Sequence, residues 1–188
     1  KLILFFSLWV IRIKDFLINL PYYLDNDLTV NTLSEFISTI SICIKKLPQA
    51  FIPFLDTFYN KAQFNSNYII LFPIILSYLA DIQIIQNIQD YSSFILSALK
   101  EILPQLHNES KLIIFGHEIP AQFKISLIAD LLLCADLTEQ LIYDFFPFIF
   151  TNFYSKNVSN FNALIQKVLN SNSLKISPQT KESNDELY

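Results

Sequence analysis

Apolar residues recur along this chain at helical spacing. Leu33, Phe36, Ile37, Ile40, Ile44 and Leu47 fall at i, i+3, i+4, i+7, i+11 and i+14, while Ser34, Glu35, Ser38, Thr39, Ser41 and Lys45 take the other face. Phe94, Ile95, Ala98, Leu99, Ile102 and Leu103 make a second stripe, and Phe161, Leu164, Ile165, Val168 and Leu169 a third. From Tyr68 to Leu79 the chain is apolar on all sides, which predicts a helix packed between neighbours. Ile, Phe and Tyr favour strands by propensity, but spacing reports on structure more directly than composition does.

Caps and prolines set the boundaries. Candidate N-caps are Asp27 or Thr29, Ser66 or Asn67, Asp90, Asp136 and Ser159. Leu20-Pro21, Leu47-Pro48, Leu103-Pro104 and Ile119-Pro120 mark helix ends, because the residue before Pro is pushed out of the α region and Pro suits a first turn. The result is about nine helices, at 2–19, 29–46, 49–62, 67–82, 90–103, 105–116, 120–135, 137–155 and 159–171. Their short linkers make sequential helices antiparallel neighbours. Pro53, Pro73 and Pro147 sit inside predicted helices and should kink them. Pro53 and Pro147 share Phe-rich surroundings 94 positions apart, twice 47, against a HEAT or armadillo period of about 40–47. The expected fold is all-α, an α-solenoid of antiparallel helix pairs over residues 1–171. Residues 172–188 are polar and are expected to form a disordered tail. With Lys at position 1 and no Met, the segment reads as the C-terminal part of a longer chain.

Composition raises one alternative. Of the 188 residues, 52% are apolar and 16% charged, a greasier balance than the ~45–50% and ~25% of ordinary soluble domains. A spanning helix needs about 20 apolar residues, and every run here is cut short: Leu2 to Ile11 by Arg12, Lys14 and Asp15, and Tyr68 to Ala80 by Asp81. The grease is therefore assigned to a core and not to membrane insertion. A net charge of −4 with Arg12 as sole arginine leaves no basic footprint for direct nucleic-acid binding.

Chemistry is sparse. Gly116 is the only glycine, which excludes glycine-rich phosphate loops and the glycine-flanked nucleophile elbow. His107-Asn108-Glu109 matches half of a zinc-deaminase signature with no paired cysteines to follow, and His117 reads as a helix-end cap beside Ile119-Pro120. Cys43 and Cys134 read as buried hydrophobes. Asp15, Asp56, Asp81, Asp130 and Asp144 have no carboxylate partner at fixed spacing and read as solvated or helix-end groups. Asn108-Glu109-Ser110 and Asn157-Val158-Ser159 fit the glycosylation sequon, and Ser177-Pro178 and Ser183 fit kinase targets. No catalytic, cofactor-binding or metal site is assigned, and the chain reads as a binding scaffold and not an enzyme. Trp9, Tyr22, Tyr23, Tyr59, Tyr78 and Tyr143 are residues of the kind that protein interfaces use.

Two stretches, Lys46-Leu47-Pro48-Gln49-Ala50-Phe51-Ile52-Pro53-Phe54-Leu55 and Tyr68 to Asp81, resemble the C-terminal HEAT repeats of importin-β-superfamily receptors (karyopherins), especially the transportin-SR branch. Ile119-Pro120-Ala121-Gln122-Phe123 leading into Ile128 to Leu132 resembles a late repeat, and Val158 to Leu169 the closing helix. The chain departs from that family in lacking the Asp and Arg ladder that links neighbouring repeats. The resemblance implies a nuclear transport receptor of cytoplasm and nucleus that wraps protein cargo under control of Ran GTPase. The family's main Ran-contacting repeats lie toward its N-terminus, so it transfers no binding residue to this segment.

Overall fold

The computed structural model describes residues 2–26, 28–81, 88–107, 111–153 and 161–170. Among them are eight α-helices: α1 (Leu2–Leu24), α2 (Val30–Lys46), α3 (Leu55–Ala62), α4 (Ser66–Asp81), α5 (Ser92–Ile102), α6 (Ala121–Cys134), α7 (Glu139–Phe153) and α8 (Phe161–Asn170). One antiparallel hairpin, β1 (Lys111–Ile114) and β2 (His117–Pro120), stands between α5 and α6. The fold is thus mostly helical with a small sheet.

The even-numbered helices form a row by contact, α2 on α4, α4 on α6 and α6 on α8, while α3 packs on α4, and α5 and α7 on α6. That arrangement explains the apolar pattern. α4 is enclosed by α2, α3 and α6, and every residue from Tyr68 to Ser77 is buried. α6 is enclosed by four helices and buries nine of its residues, among them Lys124 and Asp130. At the ends of the row, α2 buries only Leu33, Ile40, Cys43 and Ile44, and turns Glu35, Ser38, Thr39 and Lys46 to solvent. A helix in the middle needs apolar residues all round, whereas one at the end needs a single stripe.

Several boundaries differ from those predicted. Residues 105–116 are not a helix. Leu103–Gln105 closes α5 with a 3₁₀ turn, and β1 then alternates exposed Lys111 and Ile113 with buried Leu112 and Ile114, the period-2 signature of a half-buried strand. Phe115 and Gly116 make a two-residue turn with φ of 52° and 77°, the positive values that a type I′ hairpin requires. His117 consequently lies in β2 opposite Ile114 instead of capping a helix. The outer edge of β1 is occupied: Gln105 accepts from Ile113 N–H at 2.8 Å and donates to Ile113 C=O at 2.7 Å, and Glu101 accepts from Phe115 N–H at 2.7 Å.

Pro21 does not end α1, which continues to Leu24 because Leu20 and Leu24 are both fully buried. Their burial, about 1.5–3 kcal/mol each, offsets the hydrogen bond that Pro21 removes. The helix predicted over 49–62 begins instead as two 3₁₀ turns, Pro48–Ala50 and Ile52–Phe54, each with its proline in the first turn, and becomes α-helical at Leu55. Pro73 and Pro147 do sit inside α4 and α7. Thr29 is an N-cap as expected, accepting from Thr32 N–H at 3.2 Å. Asn65 caps α4 in place of Ser66 or Asn67, accepting from Asn67 N–H at 2.8 Å. Thr138 takes the role expected of Asp136, accepting from Leu141 N–H at 3.3 Å, and α5 starts without a side-chain cap from Asp90. Asp27, Ser159, the two sequons and the tail lie outside the described residues.

Buried polar groups bind the row together. Asp130 on α6, 2% exposed, accepts from Ser77 Oγ on α4 at 2.7 Å. Lys124 on α6 donates to the C=O of Gln105 and Leu106 at 2.8 and 2.9 Å, closing the turn that follows α5. Lys167 on α8 donates to the C=O of Leu132, Leu133 and Ala135, closing the C-terminus of α6. Asn67 on α4 donates to the C=O of Leu24 and Asn26, closing α1. The orphan carbonyls of three helix ends thus find donors on later helices.

Three outcomes test this account. Ser77→Ala leaves a buried carboxylate short of a donor and should cost about 1.5–3 kcal/mol, read as a lower urea midpoint at constant m-value. A loss below roughly 0.5 kcal/mol would show that the α4–α6 bond is dispensable. Gly116→Ala meets nothing within 4 Å, so its cost of about 1 kcal/mol should come from backbone conformation alone. Tyr91 donates to Asp56 Oδ1 at 3.1 Å, and burial first, then that bond, push its phenol up to about 12. The proton is held more tightly in the fold, so this stabilisation is complete below pH 10 and fades between about 10 and 12. Tyr91→Phe should cost about 1 kcal/mol at neutral pH and flatten the loss of stability across that window, followed by urea midpoints at successive alkaline pH values.

Candidate binding surfaces

The ionisable residues singled out in the sequence are dispersed, and most are engaged within the fold. Asp56 accepts from Tyr91, Asp130 from Ser77, and Asp144 on α7 accepts from Gln140 Nε2 at 2.7 Å one turn away. Asp15 is exposed on α1, and Asp81 is the last residue of α4. His107 lies exposed in the turn after α5, and His117 lies in β2. Among the described residues no group of three His, Cys, Asp or Glu is placed to hold a metal ion. Cys43 and Cys134 are buried and unbridged. Burial, followed by the nearby Asp130 charge, pushes the Cys134 thiol up, and burial does the same to Cys43, so both are held as thiols.

The lysines that close helix ends were not legible as such in the sequence. Lys167 lies on the solvent-facing side of no simple stripe, yet its amine meets three carbonyls, where the negative end of the α6 dipole favours a cation. Its burial lowers its pKa below the usual lysine value. Lys124 is 6% exposed, and its amine also stands 5.3 Å from the Phe148 ring centre on α7. Tyr68 donates to Asp25 Oδ1 at 3.0 Å, and burial, then that bond, raise its phenol pKa. Asp25 also pairs with Lys61 at 2.5 Å.

One polar cleft of about 240 Å³ opens beside the start of α4, lined by Leu28, Phe64, Asn65, Ser66, Asn67 and His117. The amides of Asn65 and Asn67 are already committed to capping α4 and closing α1. This is chiefly a junction between helix ends, with Phe64 exposed beside it.

Single large apolar side chains reach solvent on α2, α5 and α8 (Ile42, Leu96 and Leu169), and groups of them do so on α7 and α1. On α7, Tyr143 is 70% and Phe150 54% exposed, with Pro147 exposed between them and the Phe146 ring 6.0 Å from that of Phe150. Exposed Asp136 and Glu139 stand at the N-terminal end of this face. On α1, Ile11, Ile18 and Tyr22 are 53%, 63% and 73% exposed. Such side chains are the material of protein interfaces. No described helix is long and apolar enough to cross a membrane.

The chain matches no protein-family model, no curated protein and no solved structure.

Proposed function

We propose that this chain is a non-catalytic, protein-binding scaffold built as a solenoid of antiparallel helix pairs of the HEAT or armadillo type. The observation that carries the reading is the row α2–α4–α6–α8 with α3, α5 and α7 packed beside it, since stacked pairs that touch mainly their neighbours make extended surfaces for partners. The Tyr143, Phe146 and Phe150 face of α7 supports binding as its use. With Asp136 and Glu139 beside it, that face fits an apolar partner segment flanked by Lys or Arg.

The narrower form follows the resemblance: the C-terminal part of a nuclear transport receptor, working in cytoplasm and nucleus on protein cargo under Ran GTPase. In its favour, three of the four segments that carry the resemblance lie mainly on α4, α6 and α8, successive members of the row, while the fourth, 46–55, runs from the end of α2 through the two 3₁₀ turns to the start of α3. The β1–β2 hairpin breaks the alternation of helices and favours a second reading, a helical scaffold subunit of a coat, trafficking or regulatory complex.

Photo-crosslinking tests the docking face. A benzophenone amino acid at Phe150 should yield a discrete protein adduct in cells, lost on Tyr143→Glu, while the same group at exposed Gln63 yields none. Equal, diffuse labelling from both positions would refute docking on α7. If recovery of the partner changes with the nucleotide state of Ran, the transport reading stands; if it does not, that narrower form falls.

A further inference from the structure

α1 carries two apolar stripes on opposite sides. Ile13, Leu17, Leu20 and Leu24 are buried against the rest of the chain, at 0–4% exposure. At 100° per residue, Ile11, Ile18 and Tyr22 lie within about 40° of one another on the far side, and all three are more than half exposed. The spacing from Ile11 through Asp15 and Ile18 to Tyr22 is 4, 3 and 4, that of a seam between two helices, and it continues in the sequence through Leu4 and Leu8. One helix thus packs into its own chain and offers a second seam outward.

Its charges indicate what fits that seam. Arg12, Lys14 and Asp15 are the only charged residues of α1, and they cluster at the midpoint of its 23 residues. All three are exposed, and none belongs to an ion pair within the chain among the described residues. A lipid surface would meet these charges in the middle of the apolar stripe. A parallel copy would set Asp15 against Asp15 and Arg12 against Arg12. An antiparallel copy, related by a two-fold axis near Ile13, sets Asp15 of each helix beside Arg12 of the other and Ile18 toward the opposite end of its partner's stripe.

We infer that the outer face of α1 is a self-association surface, on which α1 of a second copy packs antiparallel about Ile13 with reciprocal Asp15–Arg12 pairs. A two-fold interface needs such self-complementarity, and a charged residue within an apolar seam is the usual device for fixing register. This surface is separate from the α7 face, so either can fail without the other.

Sedimentation equilibrium of the intact chain should show a reversible dimer. Ile18→Glu should weaken it roughly tenfold or more, while the urea midpoint, which reports the fold, stays put because Ile18 is exposed. Asp15→Arg should weaken it likewise, and Arg12→Asp added to Asp15→Arg should restore it. A short bis-maleimide should link two copies of Lys14→Cys but not of Tyr22→Cys, whose positions end up on the order of 27 Å apart in the antiparallel pair. A monomer at every attainable concentration, a dimer indifferent to Ile18→Glu, linking at position 22, or a monomer that instead floats with phosphatidylcholine–phosphatidylserine vesicles would each overturn the inference.

Discussion

A helix enclosed on every side cannot leave its terminal carbonyls to water, and α6 lies at the centre of this fold under that constraint. Its C-terminal carbonyls are met by the amine of Lys167, and its own Lys124 does the same service for the turn after α5. Each lysine trades one cost for another. Dehydrating the ammonium is unfavourable, as the lowered pKa of Lys167 reflects, but the alternative is several carbonyls with no donor at all. The apolar side chains make the row compact, and the cation-to-carbonyl bonds settle which helix end meets which neighbour.

Much of the helical architecture was legible because a single variable, spacing, controls it. The stripes on α2, α5 and α8 locate those helices, and the all-round apolar run of Tyr68 to Leu79 predicts the enclosure of α4. The misread segment, 105–116, contained its own signal in the alternation of Lys111 to Ile114 and in the lone glycine. That signal is short, only four residues on each side of the turn, and it rests on Gln105 and Glu101 to complete an edge that sequence spacing cannot display. Pro21 was misjudged for a related reason. A local rule ended the helix there, while the buried Leu24 three residues later carried it on.

Function was less legible than fold, and the cause is physical. Surface use depends on which aromatic residues remain outside after packing, and spacing alone does not separate Tyr143, mostly exposed, from Tyr68, fully buried. Charge was similarly ambiguous. Asp130 reads like any other scattered acid, yet it is nearly inaccessible and joins the two central helices, whereas Asp15 stays in water on α1.

The closure of α1 by α4 has a mechanical side. Asn67 holds the carbonyls of Leu24 and Asn26 from across two intervening helices, so the end of α1 is anchored at the centre of the row. It is anchored as well to α2, whose Phe36 ring meets those of Phe16 and Tyr23, and to α3, whose Lys61 pairs with Asp25. A pull on α1 therefore reaches α4 directly as well as through α2 and α3. Tension applied at that end is shared from the outset with a deeply buried helix, so the first helices should resist together instead of peeling away one pair at a time.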